Sequence, residues 1–266
     1  MNRTFLRYTK TGEIFISPGD DPRRIVDAML FTNYSEEFCF ALDFEPAFIA
    51  ELMAAGFLVM SARLAGGSGD PPESPEPRFL LLPKLHLERS VLFFPDIRET
   101  KTAKRLLKRY ELRFDTDFDR ILDRCVTVHG DDWLTPPLTE SIRVIRQKAA
   151  RFPRPGKPPS AAFFPPVRPV SFGLYRDGEL TAGEFGVVAG RVYTSYSGYR
   201  DEDSAGTVQL VLTGRYLRDA GFAFWDLGMP LPYKDRLGAV NVDPRSFVKL
   251  FRGAASPPKN RETTIL

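Results

Sequence analysis

One carboxylate stands out by its setting. Phe222-Ala223-Phe224-Trp225-Asp226-Leu227-Gly228-Met229 is an apolar strand that ends in a single acid and a glycine. Such a strand fixes where the carboxylate points, and the glycine lets a substrate approach the backbone. An acid held this way suits proton transfer, although the segment also reads as a buried strand capped by a turn. Tyr233-Lys234 follows it, either a plain surface turn or a cation near the strand end. Tyr193, Tyr196 and Tyr199 recur every three residues around another strand end and offer hydroxyl donors. Gln209 is polar on an otherwise apolar helix. Lys101, Lys104, Arg105 and Lys108 follow the i, i+3, i+4, i+7 spacing of one helical face. That face is either solvated or a contact for a phosphate backbone.

Composition removes other chemistries. Cys39 and Cys125 are isolated and sit among apolar residues, which marks them as core. With only His86 and His129 besides, a zinc site or a histidine-dependent triad is poorly supplied, and His86 reads as a structural hydrogen-bonding residue. No apolar run approaches the ~20 residues that span a bilayer, and the start lacks the apolar core of a signal peptide. A net charge of +3 is mild, so any nucleic-acid contact must come from local clustering. A cytoplasmic protein without membrane contact, metal or structural disulfide is expected.

The elements that must hold these residues can be read in order. A hairpin over Phe5–Tyr8 and Glu13–Ile16 turns at Thr11-Gly12; helices start at Asp21-Pro22 and Glu45-Pro46. A Gly/Pro/Ser-rich stretch from Gly66 to Pro77 predicts a boundary between a small unit over 1–77 and a main domain over 78–252. In the main domain come strands at 78–82 and 111–114, helices near 102–109, 118–125 and 138–150, and a proline-dense excursion over 151–169. A hairpin over 170–175 and 179–188 crosses Asp177-Gly178, a type I′ signal. A strand over 191–196, an amphipathic helix over 205–218 and the Asp226 strand complete it, with a polar tail over 253–266. Three antiparallel strands, a helix and a further strand are similar to the core of a GNAT acyltransferase. The expected class is α+β: a small N-terminal α/β domain before a GNAT-like domain with a mixed, mostly antiparallel sheet. In that fold the strands before and after the helix diverge, and the wedge between them holds the acyl donor.

Short motifs then carry a more specific resemblance. Asp43-Phe44-Glu45-Pro46 with Ala55-Gly56, Ser74-Pro75-Glu76-Pro77-Arg78, Leu85-His86-Leu87-Glu88-Arg89-Ser90 and Asp132-Trp133-Leu134-Thr135-Pro136 occur in that order. Arg176-Asp177-Gly178-Glu179-Leu180 with Gly183 and Phe185-Gly186-Val187 follows, then Asp226 and Leu237-Gly238-Ala239. Together they resemble the leucyl/phenylalanyl-tRNA–protein transferases. The resemblance implies transfer of an amino acid, Leu or Phe, from aminoacyl-tRNA to the α-amine of an N-terminal Arg or Lys, marking the protein for N-end-rule degradation. It implies a monomer with no cofactor besides the aminoacyl-tRNA. By the same likeness Asp226 is the acid behind proton transfer, and Tyr196 stands where the family has a glutamate. Trp133 is then the adenosine platform or else a core residue. Tyr193, Thr213 and Gly228 belong to the donor site, and Arg89 with Lys101, Lys104, Arg105 and Lys108 meets the RNA.

This chain departs from the family at the sharpest positions. Gly228 replaces a glutamine, Tyr196 the glutamate, and Thr213 a pocket-lining aromatic. The alternatives are an inactive or altered-specificity module binding tRNA or a degron, and a GNAT N-acetyltransferase. For the last, Arg200-Asp201-Glu202-Asp203 before the helix would repel a pyrophosphate.

Overall fold

The computed structural model describes residues 6–32, 35–64, 78–149 and 166–255. The Gly/Pro/Ser-rich stretch, all but the end of the proline-dense excursion, and the tail beyond 255 lie outside the described residues.

At the N-terminus β1 (Arg7–Tyr8) and β2 (Ile14–Phe15) form the expected hairpin in short form. Helix α1 (Pro22–Phe31) starts where Asp21 accepts from the Arg23 and Arg24 amides, with proline in the first turn. Strand β3 (Cys39–Phe40) joins β2 in parallel, and α2 (Pro46–Ala54) follows. A strand not read in the sequence, β4 (Leu58–Arg63), pairs antiparallel with β5 (Phe79–Lys84). These two strands therefore join across the Gly/Pro/Ser-rich stretch, and β5 also bridges to the β3 segment through Ala41 and Leu81.

The remaining elements are β6 (Arg89–Leu92), α3 (Lys101–Leu106), β7 (Glu111–Phe114), α4 (Phe118–His129) and α5 (Pro136–Ala149). After them come β8 (Arg168–Arg176), β9 (Glu179–Ala189), β10 (Val192–Arg200), α6 (Ala205–Asp219) and β11 (Phe224–Gly228). Helix α7 (Pro232–Leu237), β12 (Val240–Val242) and α8 (Pro244–Ala255) close the chain. Seven strands form one sheet in the order β12-β6-β11-β10-β9-β8-β7. Every neighbouring pair is antiparallel except β10 with β11. The α+β class and the GNAT-like arrangement of three antiparallel strands, a helix and a parallel strand are thus present.

Both faces of the sheet are covered. Phe185, Val187 and Val192 join the core built on α2, α4, α5 and α8, while Phe172, Tyr193 and Trp225 pack with Val211 and Leu217 of α6. Burial on both faces explains why β8 and β9 are buried at nearly every position instead of alternating.

The fork between β10 and β11 positions the site. The two strands pair only at Val192–Phe224, Tyr193–Trp225 and Thr194–Asp226. Beyond that, β10 carries an irregularity between Ser195 and Ser197, and β11 one between Asp226 and Gly228. Bulges bend and twist a strand, so each turns away from the other. Gly228 sits at φ +74°, a conformation that costs other residues but not glycine.

Candidate active site

Two groups of residues meet at this fork, one on each face of the sheet. On the α8 face, Arg89 of β6 grips Asp226 in a fork-to-fork pair, Nε to Oδ1 at 2.8 Å and Nη2 to Oδ2 at 2.6 Å. Thr194 Oγ1 donates to Oδ2 at 2.8 Å and the Gly228 amide to Oδ1 at 3.0 Å. A carboxylate has about four acceptor sites, and here four donors fill them. Asp226 and Arg89 are 0% and 1% exposed, and the Arg89 guanidinium also lies 4.4 Å from the Phe247 ring centroid. This overturns two expectations. Arg89 is sealed against RNA phosphates because it is buried and turned to Asp226 and His86. Asp226 likewise has no lone pair left for an amine; it fixes the fork instead of meeting substrate.

His86 completes this node, with Nδ1 2.9 Å from Arg89 Nη1. A guanidinium can only donate, so Nδ1 must accept and the ring is neutral. Burial first, then the Arg89 charge, pushes the His86 pKa down to about 2. The unfolded chain takes up a proton near pH 6.5 that the folded chain refuses, so stability falls as pH drops below that point. His86→Asn is therefore expected to lose less stability than the parent between pH 7.5 and pH 5, by about 2 kcal/mol. Urea denaturation at both pH values measures this, and equal losses would refute the neutral-ring assignment.

Tyr196 lies on the same face. It is half-buried, and its hydroxyl accepts from the Val59 amide at 3.1 Å. With Arg89, Thr194, Phe57 and Phe251 it lines a void of about 10 Å³, room for about one water and no substrate. Tyr196 thus ties β10 to β4.

The opposite face, under α6, is open. A cavity of about 670 Å³ lies where β10 and β11 part. Glu184 of β9 and Gly198 to Arg200 at the end of β10 form its floor; Gly206, Thr207, Gln209, Leu210 and Val211 of α6 form one wall. Tyr233, Arg236 and Leu237 of α7 form another, with Val128, His129, Arg98 and Thr100 completing the rim. That volume fits a drug-sized or aminoacyl-nucleoside-sized ligand. Arg98, Arg200 and Arg236 are exposed, and none forms an ion pair among the described residues. His129 is anchored, its Nε2 2.8 Å from the Gly198 carbonyl.

Glu184 is the residue the sequence reading missed. It is 8% exposed, and Tyr193 donates its hydroxyl to Oε1 at 3.0 Å. Desolvation raises the Glu184 pKa to about 7. A signal was available: an acid inside an otherwise apolar strand, Ala182-Gly183-Glu184-Phe185-Gly186-Val187. Lys234 is buried at the first turn of α7 and donates to the Leu227 and Met229 carbonyls at 2.5 and 2.7 Å. It is a splint on the end of β11, with its pKa lowered by burial to about 8. Gln209 is also buried, its amide 3.3 Å from the Phe172 carbonyl.

The structure thus brings Tyr193 to the floor acid and Gly228 to Asp226, but leaves other candidates elsewhere. Thr213 is fully buried with an unpartnered hydroxyl and lines neither cavity. Trp133 is half-buried against the α8-face core, its carbonyl accepting from Ser61, and it lines neither cavity. Lys101, Lys104, Arg105 and Lys108 are exposed; helix α3 ends before Lys108, which lies in a 3₁₀ turn. Thr100, on the cavity rim, caps α3 by accepting from the Ala103 amide. The basic helix therefore starts at the cavity mouth. Among the described residues no cluster of His, Cys, Asp and Glu could hold a metal ion, and no helix is long and apolar enough to cross a membrane.

Comparison with known proteins gives a consistent match. The family model described as leucyl/phenylalanyl-tRNA protein transferase matches residues 91–252. A leucyl/phenylalanyl-tRNA–protein transferase of Pseudomonas putida is 27% identical over 179 residues, 65% of this chain and 66% of the relative. One from Pseudomonas aeruginosa is 27% identical over 191 residues, covering 70% and 72% respectively. The chain thus spans about two thirds of the length of these curated relatives. Among solved structures, FemX aligns with a TM-score of 0.43 at 11% identity, over 90% of this chain and 79% of that one.

Proposed function

Because the chain belongs to the leucyl/phenylalanyl-tRNA–protein transferase family, we propose that it moves an amino acid from aminoacyl-tRNA to the α-amine of a protein N-terminus. The observation that carries this reading is the 670 Å³ cavity at the strand fork, with arginines at its mouth that form no ion pair among the described residues and the basic helix starting from its rim.

The chemistry asks for placement more than for strong catalysts. The acceptor nitrogen attacks the ester carbonyl, a C–N bond forms, and the C–O bond to the ribose breaks. The amine's proton ends on the ribose oxygen that leaves. An ester is already activated, so no soluble cofactor enters, and holding amine and ester together supplies most of the acceleration. The fork supplies that rigidity: Arg89 and Asp226 lock β6 to β11, and Lys234 fixes the strand end. Arg98, Arg200 and Arg236 suit the phosphates near the RNA 3′ end, and the exposed face of α3 continues that path. The relatives' name gives Leu and Phe as donors to try first, and N-terminal Arg or Lys are the acceptors the resemblance implies, in N-end-rule degradation.

A transfer assay tests this, with bulk tRNA charged with each radiolabelled amino acid and peptides beginning with Arg, Lys, Asp or Glu. Label entering a peptide supports the reading. No transfer from any charged tRNA, with tRNA still bound, would favour a binding module. For the RNA path, reversing Lys104 and Arg105 to Glu is expected to weaken tRNA binding and flatten its dependence on salt. Binding unchanged at low salt would place the RNA elsewhere.

A further inference from the structure

We propose that Glu184 selects the donor, seating the cationic side chain of a lysyl or arginyl group carried by the tRNA. The proposal rests on the transferase reading above and concerns its donor.

The starting point is a charge without a counter-charge. Among the described residues lining the large cavity, Glu184 is the only carboxylate. Its hydrogen-bond partners, the Tyr193 hydroxyl at 3.0 Å and the Ser195 hydroxyl, are neutral. No ion pair to Glu184 occurs among the described residues, and the nearest buried cation is committed elsewhere. Lys234 donates its ammonium to the Leu227 and Met229 carbonyls, so its charge reaches Glu184 only through space and not as an ion pair. Burying a carboxylate without a cation is costly, so such groups are normally paired. The pKa pushed up to about 7 reports the same imbalance. Glu184 itself lines the cavity.

The groups around it leave room for one more cation. Tyr193 and Ser195 come from β10, Gln209 from α6, Tyr233 and Lys234 from α7, and Cys125 and His129 from α4. Only Lys234 among them is a fixed cation. The arginines lie at the solvent-exposed mouth, where RNA phosphates would meet them.

The floor of this cavity lies under α6, the side of the fork where the fold holds its acyl donor. A leucyl or phenylalanyl side chain there would press carbon against the carboxylate and strip its remaining water. An ammonium or guanidinium would instead fill acceptor sites that Tyr193 and Ser195 leave open, by charge-assisted hydrogen bonds. A site built with a buried polar group discriminates strongly against a ligand that cannot pair with it.

The test compares lysyl-, arginyl-, leucyl- and phenylalanyl-tRNA as donors to the full-length protein, each with acceptor peptides beginning with Arg, Lys or Asp. The parent is expected to use lysyl or arginyl donors at least about tenfold better in kcat/KM. Glu184→Met should invert that order, and Glu184→Gln should erase it. Three results would each overturn the proposal. The parent could prefer leucyl or phenylalanyl donors, which needs no variant and leaves the transferase reading intact. Glu184→Met could slow every donor equally, making Glu184 a group of the chemical step. The effect could follow the acceptor's first residue instead of the donor, placing the cation on the acceptor. Transfer from none of these tRNAs, nor from any other charged tRNA, would remove the transferase reading itself.

Discussion

Asp226→Ala is expected to destabilise the protein by about 3–5 kcal/mol, because it leaves the Arg89 guanidinium buried without a counter-charge. Arg89 is 1% exposed, and its two bonds to Asp226 at 2.6 and 2.8 Å are its only contacts to a carboxylate among the described residues. The same change frees the Thr194 hydroxyl and the Gly228 amide, so β10, β6 and the end of β11 all lose their common anchor. Removing both charges tells cost from role. Arg89→Met with Asp226→Ala should recover much of the stability lost in the single variant, since replacing a buried ion pair by apolar groups is often near neutral. Transfer should stay low in both, because the fork is no longer fixed. Denaturant midpoints for the parent, both single variants and the double variant give the coupling directly. If Asp226→Ala proved as stable as the parent and lost only turnover, Asp226 would belong to the chemical step after all.

That pair also shows where a sequence stops being readable. Asp226 stood out because an acid at the end of an apolar strand is locally anomalous. Its partner is 137 residues away, and nothing near Arg89 marks it as the one basic residue to be buried. The family resemblance puts it among the cations that meet RNA, and no neighbour in the sequence argues otherwise. Local signals fared better. Asp177 and Gly178 take φ +53° and +86°, the left-handed turn their types call for, and the hairpin over β8 and β9 follows. Asp21-Pro22 and Pro46 start their helices for equally local reasons. Strand β4 escaped notice because its partner β5 lies beyond the Gly/Pro/Ser-rich stretch, which reads as a boundary and not as a connection between paired strands. Helix α7 read as a turn because six residues are too few to show a period. Glu184 was missed for the opposite reason. An acid within a strand can face solvent; a sheet covered on both sides makes this one a buried charge. The site is thus legible at Asp226, where a residue conflicts with its own neighbours. It is hidden at Arg89, whose partner is far away in sequence, and only half visible at Glu184, whose apolar flanks mark it but whose buried charge shows once both faces of the sheet are covered.

Gly238→Ala is expected to be the most damaging glycine change at this end of the fold, costing roughly 3 kcal/mol or more. Gly238 ends α7 at φ +105°, which disfavours any residue with a Cβ. The added methyl would also sit 2.0 Å from the Asp96 carbonyl oxygen and 3.0 Å from its carbon. Because those atoms are backbone, a rotamer change cannot relieve the clash. The segment that must yield is the one that holds the cavity mouth. The Arg98 amide donates to the Leu237 carbonyl at 2.8 Å, and the Gly238 and Ala239 amides close α7 onto Asp235 and Lys234. A shift there moves Lys234 off the Leu227 and Met229 carbonyls, and Tyr233 and Arg236 off the cavity wall. Gly178→Ala separates the two costs. Gly178 has φ +86° but nothing within 4 Å of an added Cβ, so it reports the backbone penalty alone, about 1–2 kcal/mol. Thermal melts of both variants beside the parent measure the difference. A loss in Gly238→Ala no larger than in Gly178→Ala would mean that the contact with Asp96 relaxes freely. In that case α7 is not a rigid wall, and Lys234 cannot be what fixes the end of β11.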